Sequence, residues 1–166
     1  MLSSVLPFTP EMAVEVTNYC TEHSKKVTEQ MDELWDWTCQ NFADADKMSS
    51  PLQGATMTFL AEFVRARRIL EIGCYTGYSA LAWYEGTRKT NAEIISLEAD
   101  PKMIAASRNT FDKYKKLSGQ FDIIFVDANK EGYQNYVQYI LDHKLLAPEG
   151  LIMCDNVFAR GTSRLL

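Results

Sequence analysis

The stretch Leu70-Glu-Ile-Gly-Cys-Tyr-Thr-Gly-Tyr-Ser-Ala-Leu81 decides the fold. It leaves an apolar run, tightens around two glycines and continues with helical character, so it reads as strand, tight turn, helix. Gly73 and Gly77 permit close backbone approach, and the helix amino terminus with Ser79 offers donors to an anionic group. A dinucleotide fingerprint would need glycine at 73, 75 and 78. The chain has Gly73, Tyr75 and Tyr78 there, which leaves little room for a pyrophosphate. Taken alone, the string could equally be an ordinary glycine-containing strand–helix turn.

Working outward, four short runs are almost wholly apolar and close on an acid or a glycine: Arg68 to Gly73, Glu93 to Glu98, Phe121 to Asp127 and Gly150 to Asp155. Strands buried on both faces of a parallel sheet read this way. Between them lie helical stretches near 77–85, 101–116 and 131–146, the last carrying Tyr133, Tyr136, Val137, Ile140 and Leu141 on one stripe and broken by Ala147-Pro-Glu-Gly150. This alternation predicts a doubly wound, mainly parallel, Rossmann-like α/β sheet with helices on both faces. In such a sheet ligands bind at the carboxyl ends of the strands.

Upstream, residues 9–44 read as two helices, with Thr9 as a cap, Pro10 in the first turn and Met12, Val16 and Cys20 on one stripe. Met31, Leu34, Trp35 and Phe42 continue the pattern. Read functionally, this Trp/Met stripe is a substrate lid or a homodimer face; an apolar stripe at helical spacing is more often core. A further helix from Pro51 is expected to bury Leu52, Ala55, Phe59, Leu60 and Phe63.

The chain has 166 residues, 46% of them hydrophobic, enough for one core. Seventeen Lys and Arg against 22 Asp and Glu give a net charge of −5, which argues against a nucleic-acid or anionic-membrane surface and favours a small-molecule partner. No apolar run approaches the roughly 18 residues of a membrane span, and the start lacks a signal peptide's basic region. Cys20, Cys39, Cys74 and Cys154 show no CxxC spacing and read as free thiols of a reducing, cytoplasmic compartment.

Several residues at the strand ends can carry chemistry. Glu98 can accept hydrogen bonds from both ribose hydroxyls of a nucleoside. Asp127 and the pair Asp155-Asn156 close neighbouring strands, and two carboxylates with an amide carbonyl form a hard-oxygen set suited to Mg²⁺. The blander account is that Asp155-Asn156 starts a turn and Asp127 caps a helix. Lys130, three residues beyond Asp127, would have its pKa pushed down beside a cation and could serve as a base for a hydroxyl. His23 and His143 show no partner pattern.

Glu71-Ile-Gly-Cys-Tyr-Thr-Gly-Tyr-Ser79, Phe125-Val-Asp-Ala-Asn-Lys-Glu-Gly-Tyr133 and Asp155-Asn-Val-Phe-Ala-Arg-Gly161 resemble, in order, the three signature segments of the cation-dependent class I O-methyltransferases, which include the caffeoyl-CoA and catechol enzymes. The resemblance spans roughly residues 45–161 and implies methyl transfer from S-adenosylmethionine to a catechol-type phenol held on a divalent cation such as Mg²⁺. It implies a cofactor cradle of Glu71, Gly73, Cys74, Tyr75 and Ser79, with Glu98 as the ribose acid. It implies metal ligands Asp127, Asp155 and Asn156, and Lys130 as base. Met48 resembles a methionine that touches cofactor and substrate, and Asn129 stands where relatives often carry Asp. A helical segment 1–47 would precede a core at 48–166.

One departure is length. Only 22 residues separate Glu98 from Phe121, where a helix, an edge strand, a second helix and their connections need about 35 to 40. An edge strand and most of a helix are therefore expected to be missing, and the last strand is expected to be a bare edge without the family's terminal hairpin. The helix at 101–116 is expected to keep its family position. A second expectation stands beside the enzyme: a shortened form that binds cofactor or oligomerises without turnover.

Overall fold

The computed structural model describes residues 9–100, 102 and 119–157. Their elements run α1 (Pro10–His23), α2 (Glu29–Asn41), α3 (Pro51–Phe63), β1 (Arg68–Ile72), α4 (Tyr78–Gly86), β2 (Glu93–Leu97), β3 (Phe121–Val126), α5 (Tyr133–Asp142) and β4 (Leu146–Cys154). The expected helix at 101–116, and with it the face it occupies, lies outside the described residues.

The four described strands form one parallel sheet in the order β2-β1-β3-β4. Parallel pairing explains the near-continuous apolar runs, because helices cover both faces. Ile69, Ile123 and Phe125 pack with Met31, Met57, Ala61, Tyr78 and Trp83 of α2, α3 and α4. On the other face Leu70, Ile95, Ile124 and Val126 pack with Tyr133 and Ile140 of α5. The chain adds β2 on one side of β1 and β3 on the other, so the order reverses between β1 and β3. A crevice opens at such a switch point.

Three expectations change. The helix expected at 131–146 ends at Asp142, and Ala147-Pro-Glu-Gly150 lies inside β4. Its register jumps from Phe121↔Leu146 to Ile123↔Leu151, so these residues form a bulge, where a proline costs no ladder bond. On α3 the buried residues are Gly54, Met57 and Ala61, while Phe59 and Phe63 are 61% and 73% exposed. Small residues face inward because α4 presses close: a Cβ on Gly86 would meet Thr58 O at 2.5 Å and Ala61 Cβ at 2.8 Å. The stripe on α1 buries nothing, and Val16 is exposed, whereas Met31, Leu34 and Trp35 of α2 join the core. No helix among the described residues is long and apolar enough to cross a membrane.

Candidate active site

The turn after β1 sits at the switch point because its backbone can enter a space that a side chain would fill. Gly73 has φ +88°, and a Cβ there would come within 2.1 Å of Asp127 O. Its N–H donates to Leu97 O at 2.8 Å, and Asp127 N–H donates to Ile72 O at 2.9 Å, so the turn is tied to both flanking strands. Gly77, also left-handed at φ +95°, starts α4, with Ser79 buried in its first turn. Helix N–H groups and a hydroxyl thus converge beside the ends of β1 and β3.

Glu98 holds this turn shut. Oε2 accepts from Cys74 N and Tyr75 N at 3.1 and 3.0 Å, and Oε1 from Ala99 N and Asp100 N at 2.8 and 3.0 Å. All four lone-pair positions of the carboxylate are filled by backbone donors. Tyr75 is pinned from above, its hydroxyl donating to Asp44 Oδ1 at 2.8 Å, and burial with this bond raises its pKa. Thr76 takes a bond from Thr38 and points its hydroxyl at Met48 Sδ, 3.8 Å away. Met48, nearly buried, therefore lies directly over the turn.

Glu71 is wholly buried one strand position before the turn. It accepts from Ser96 Oγ at 2.6 Å and Trp83 Nε1 at 3.2 Å, and Ser79 also bonds to it. Burial pushes its carboxyl up to about 7 despite those donors.

Beyond β3 and β4 a second cluster forms. Val126 and Cys154 are register partners, so Asp127 and Asp155 leave adjacent strands side by side. Lys130 Nζ donates to Asp127 Oδ1 at 2.9 Å, to Tyr133 OH at 2.6 Å and to Asp155 O at 3.3 Å; Tyr133 OH donates to Asp155 O at 3.0 Å. Gln53 Nε2 donates to Asp155 Oδ1 at 3.0 Å. Burial and the facing Asp127 raise the Asp155 pKa. Asn156 follows in a left-handed turn and is exposed. Asn129, also exposed, accepts from Tyr136 OH at 2.6 Å.

Lys130 is paired with Asp127. Burial acts to lower its pKa, but the bonds to Tyr133 and Asp127 and the Asp127 charge outweigh it, so the pKa is raised. Among the described residues, the ammonium is the counter-charge to Asp127. Tyr133, Tyr136 and Gln53 did not emerge as site residues from the sequence. The tyrosines were absorbed into an apolar helix stripe, and the one local signal for Gln53 was its place in Ser50-Pro-Leu-Gln53, a capping-box string.

Among the described residues no group of three or more His, Cys, Asp or Glu stands ready to hold a metal. The candidate set is instead two carboxylates and an amide. Two acids whose mutual repulsion helps to raise one pKa fit a divalent cation by the chemistry of their oxygens.

The sequence profile of the O-methyltransferase family matches residues 21–115 and 103–164. The chain belongs to this O-methyltransferase family. The match comes in two pieces, and their overlap falls between Glu98 and Phe121. O-methyltransferase ankF of Aspergillus thermomutatus is 40% identical over 179 residues, covering 97% of this chain and 75% of that protein. Those 179 residues exceed the 166 of the whole chain, so the relative has residues with no counterpart here. A catechol O-methyltransferase of Niastella koreensis is 33% identical across 68% of this chain and 59% of its own length.

Solved structures agree. The SAH-bound Podospora anserina methyltransferase PaMTH1 is 54% identical with a TM-score of 0.90, covering 97% of this chain and 76% of that one. The Bacillus cereus O-methyltransferase in complex with SAH is 25% identical with a TM-score of 0.74, covering 89% and 74%. The fold is thus the Rossmann-like methyltransferase sheet, on a chain about three-quarters the length of several relatives.

Proposed function

We propose that the chain transfers a methyl group from S-adenosylmethionine to one hydroxyl of a small catechol-type phenol held on a divalent cation. One observation carries the reading: Gly73 lies so close against Asp127 O that the glycine turn and the paired aspartates share one sheet edge at the switch point. When bound, the cofactor supplies an electrophilic methyl on sulfonium, and the cation supplies Lewis acidity toward the acceptor hydroxyl.

The chain's residues do the rest. Ser79 and the N–H groups opening α4 hold the carboxylate of the cofactor's methionine part, with Gly73, Cys74 and Tyr75 shaping the floor and Met48 the roof. Glu98 takes the ribose hydroxyls on Oε1 in exchange for the N–H groups of Ala99 and Asp100, and Asn129 adds a polar contact. Glu71 braces Ser79 from within. Asp127, Asp155 and Asn156 hold the cation, and Lys130 takes the proton of the attacking hydroxyl once a neighbouring positive charge lowers its pKa. Catalysis here is mainly positioning and desolvation.

The test is methylation of a catechol with S-adenosylmethionine and Mg²⁺. Turnover is expected to stop in excess chelator, and Asp155→Ala is expected to lower kcat/KM by about 100-fold or more, while calorimetry with S-adenosylmethionine stays near wild type. Undiminished turnover in chelator overturns the cation. Binding of NAD in place of S-adenosylmethionine overturns the reaction class.

A second reading, a form that holds cofactor or oligomerises without turnover, is supported by the chain spanning only about three-quarters of these relatives. S-adenosylmethionine binding with no acceptor methylated would select it.

A further inference from the structure

Gln53 is the third residue of α3, and its side-chain amide is engaged at both ends. Ser50 N–H donates to Gln53 Oε1 at 2.8 Å, and Gln53 N–H donates to Ser50 Oγ at 3.2 Å, which closes a capping box. A backbone N–H can only donate, so the amide oxygen must face the cap. The amino group is thereby turned outward, and it meets Asp155 Oδ1 at 3.0 Å, across 102 positions of sequence.

The residue type matters. A capping box accepts Glu or Gln at this position, but a glutamate has no proton to give Asp155 and would set a second negative charge against it. Glutamine alone completes the cap and donates to the acid. The main chain of Asp155 is meanwhile held by Lys130 Nζ and Tyr133 OH on its carbonyl oxygen. Side chain and backbone are thus fixed from different places, α3 on one hand and the first residue of α5 with the turn before it on the other.

We propose that Gln53 is a positioning residue that orients the Asp155 carboxylate for the divalent cation, an inference that rests on the reading of Asp155 as a cation ligand. A carboxylate free to turn about its side-chain bonds must lose that freedom when a cation binds. One already bonded to a capped helix has lost it beforehand. Outer partners of this kind are worth about 10–100-fold in metal affinity.

The test measures Mn²⁺ binding to the full chain by loss of the free-ion electron paramagnetic resonance signal, with no turnover needed. Gln53→Met is expected to weaken Mn²⁺ binding by about tenfold or more, with a native circular dichroism spectrum. Ser50→Ala gives up the serine cap but leaves Ser50 N–H to orient the amide. It is expected to lower the thermal midpoint while keeping Mn²⁺ affinity near wild type. If Asp155→Ala abolishes binding and Gln53→Met does not weaken it, the positioning role is overturned and the cation reading stands. Equal weakening in Ser50→Ala and Gln53→Met also overturns it, because affinity would then follow the cap rather than the contact. Wild-type binding in Asp155→Ala overturns the cation reading and this inference together.

Discussion

The two halves of the sheet edge hold their acids in different ways. On the β1/β2 side, Glu98 is saturated by four backbone N–H groups, and Glu71 is sealed among Ser79, Ser96 and Trp83. On the β3/β4 side, Asp127 is held by Lys130 and Asp155 by Gln53, donors on side chains. The N–H groups of Cys74 and Tyr75 cannot leave without unmaking the turn. The Lys130 side chain can swing away and give place to another charge, while Gln53, held by its cap, keeps Asp155 in place. The first half is therefore a rigid cradle and the second an exchangeable site.

Gly73→Ala is the harshest way to break the comparison. The new Cβ meets Asp127 O at 2.1 Å on a residue with φ +88°, so a loss of about 3–5 kcal/mol is expected, read from the urea midpoint. A midpoint near wild type would mean that the turn is not rigid.

Glu71→Gln sharpens it. The folded carboxyl is raised to about 7 from an ordinary 4.5, so between those pH values the native state holds a proton that the unfolded chain has released. Stability from this group is full below the lower value and falls by about 3 kcal/mol as pH rises through the higher one. Thermal midpoints of wild type are expected to fall over that window relative to Glu71→Gln, and parallel profiles would refute the buried-acid account.

The smallest stability effect is expected on the exchangeable side. Asp127→Ala breaks an ion pair to a lysine side chain that is 39% exposed and can turn to water. The unfolding free energy is expected to drop by about 1 kcal/mol or less, although the proposed activity would be lost. A large drop would mean that this cluster is structural.

Much of the cradle was legible because it is local. Gly73, Gly77 and Ser79 lie within seven consecutive residues, and left-handed backbone at the glycines follows from their missing side chains. The placement of Asp127 beside Asp155 was legible too, since both end strands of one parallel sheet. The bulge in β4 was not: a helix stripe running into Ala147-Pro-Glu-Gly150 reads as helix and breaker, and only pairing with β3 draws those residues into a strand. The inward face of α3 was misread because large apolar residues are the usual mark of burial. Gly54 and Ala61 are inside for the opposite reason, that Tyr78 and Gly86 leave no room for more.

By itself the sequence determined the alternation of strands and helices, the glycine turn and the acids at the strand ends, because these depend on period, backbone freedom and residue order. Only the tertiary structure decided what each acid touches. Glu98 facing the turn, Gln53 reaching Asp155 and the raised pKa of Lys130 depend on contacts between residues distant in the chain, and on burial that no local pattern encodes.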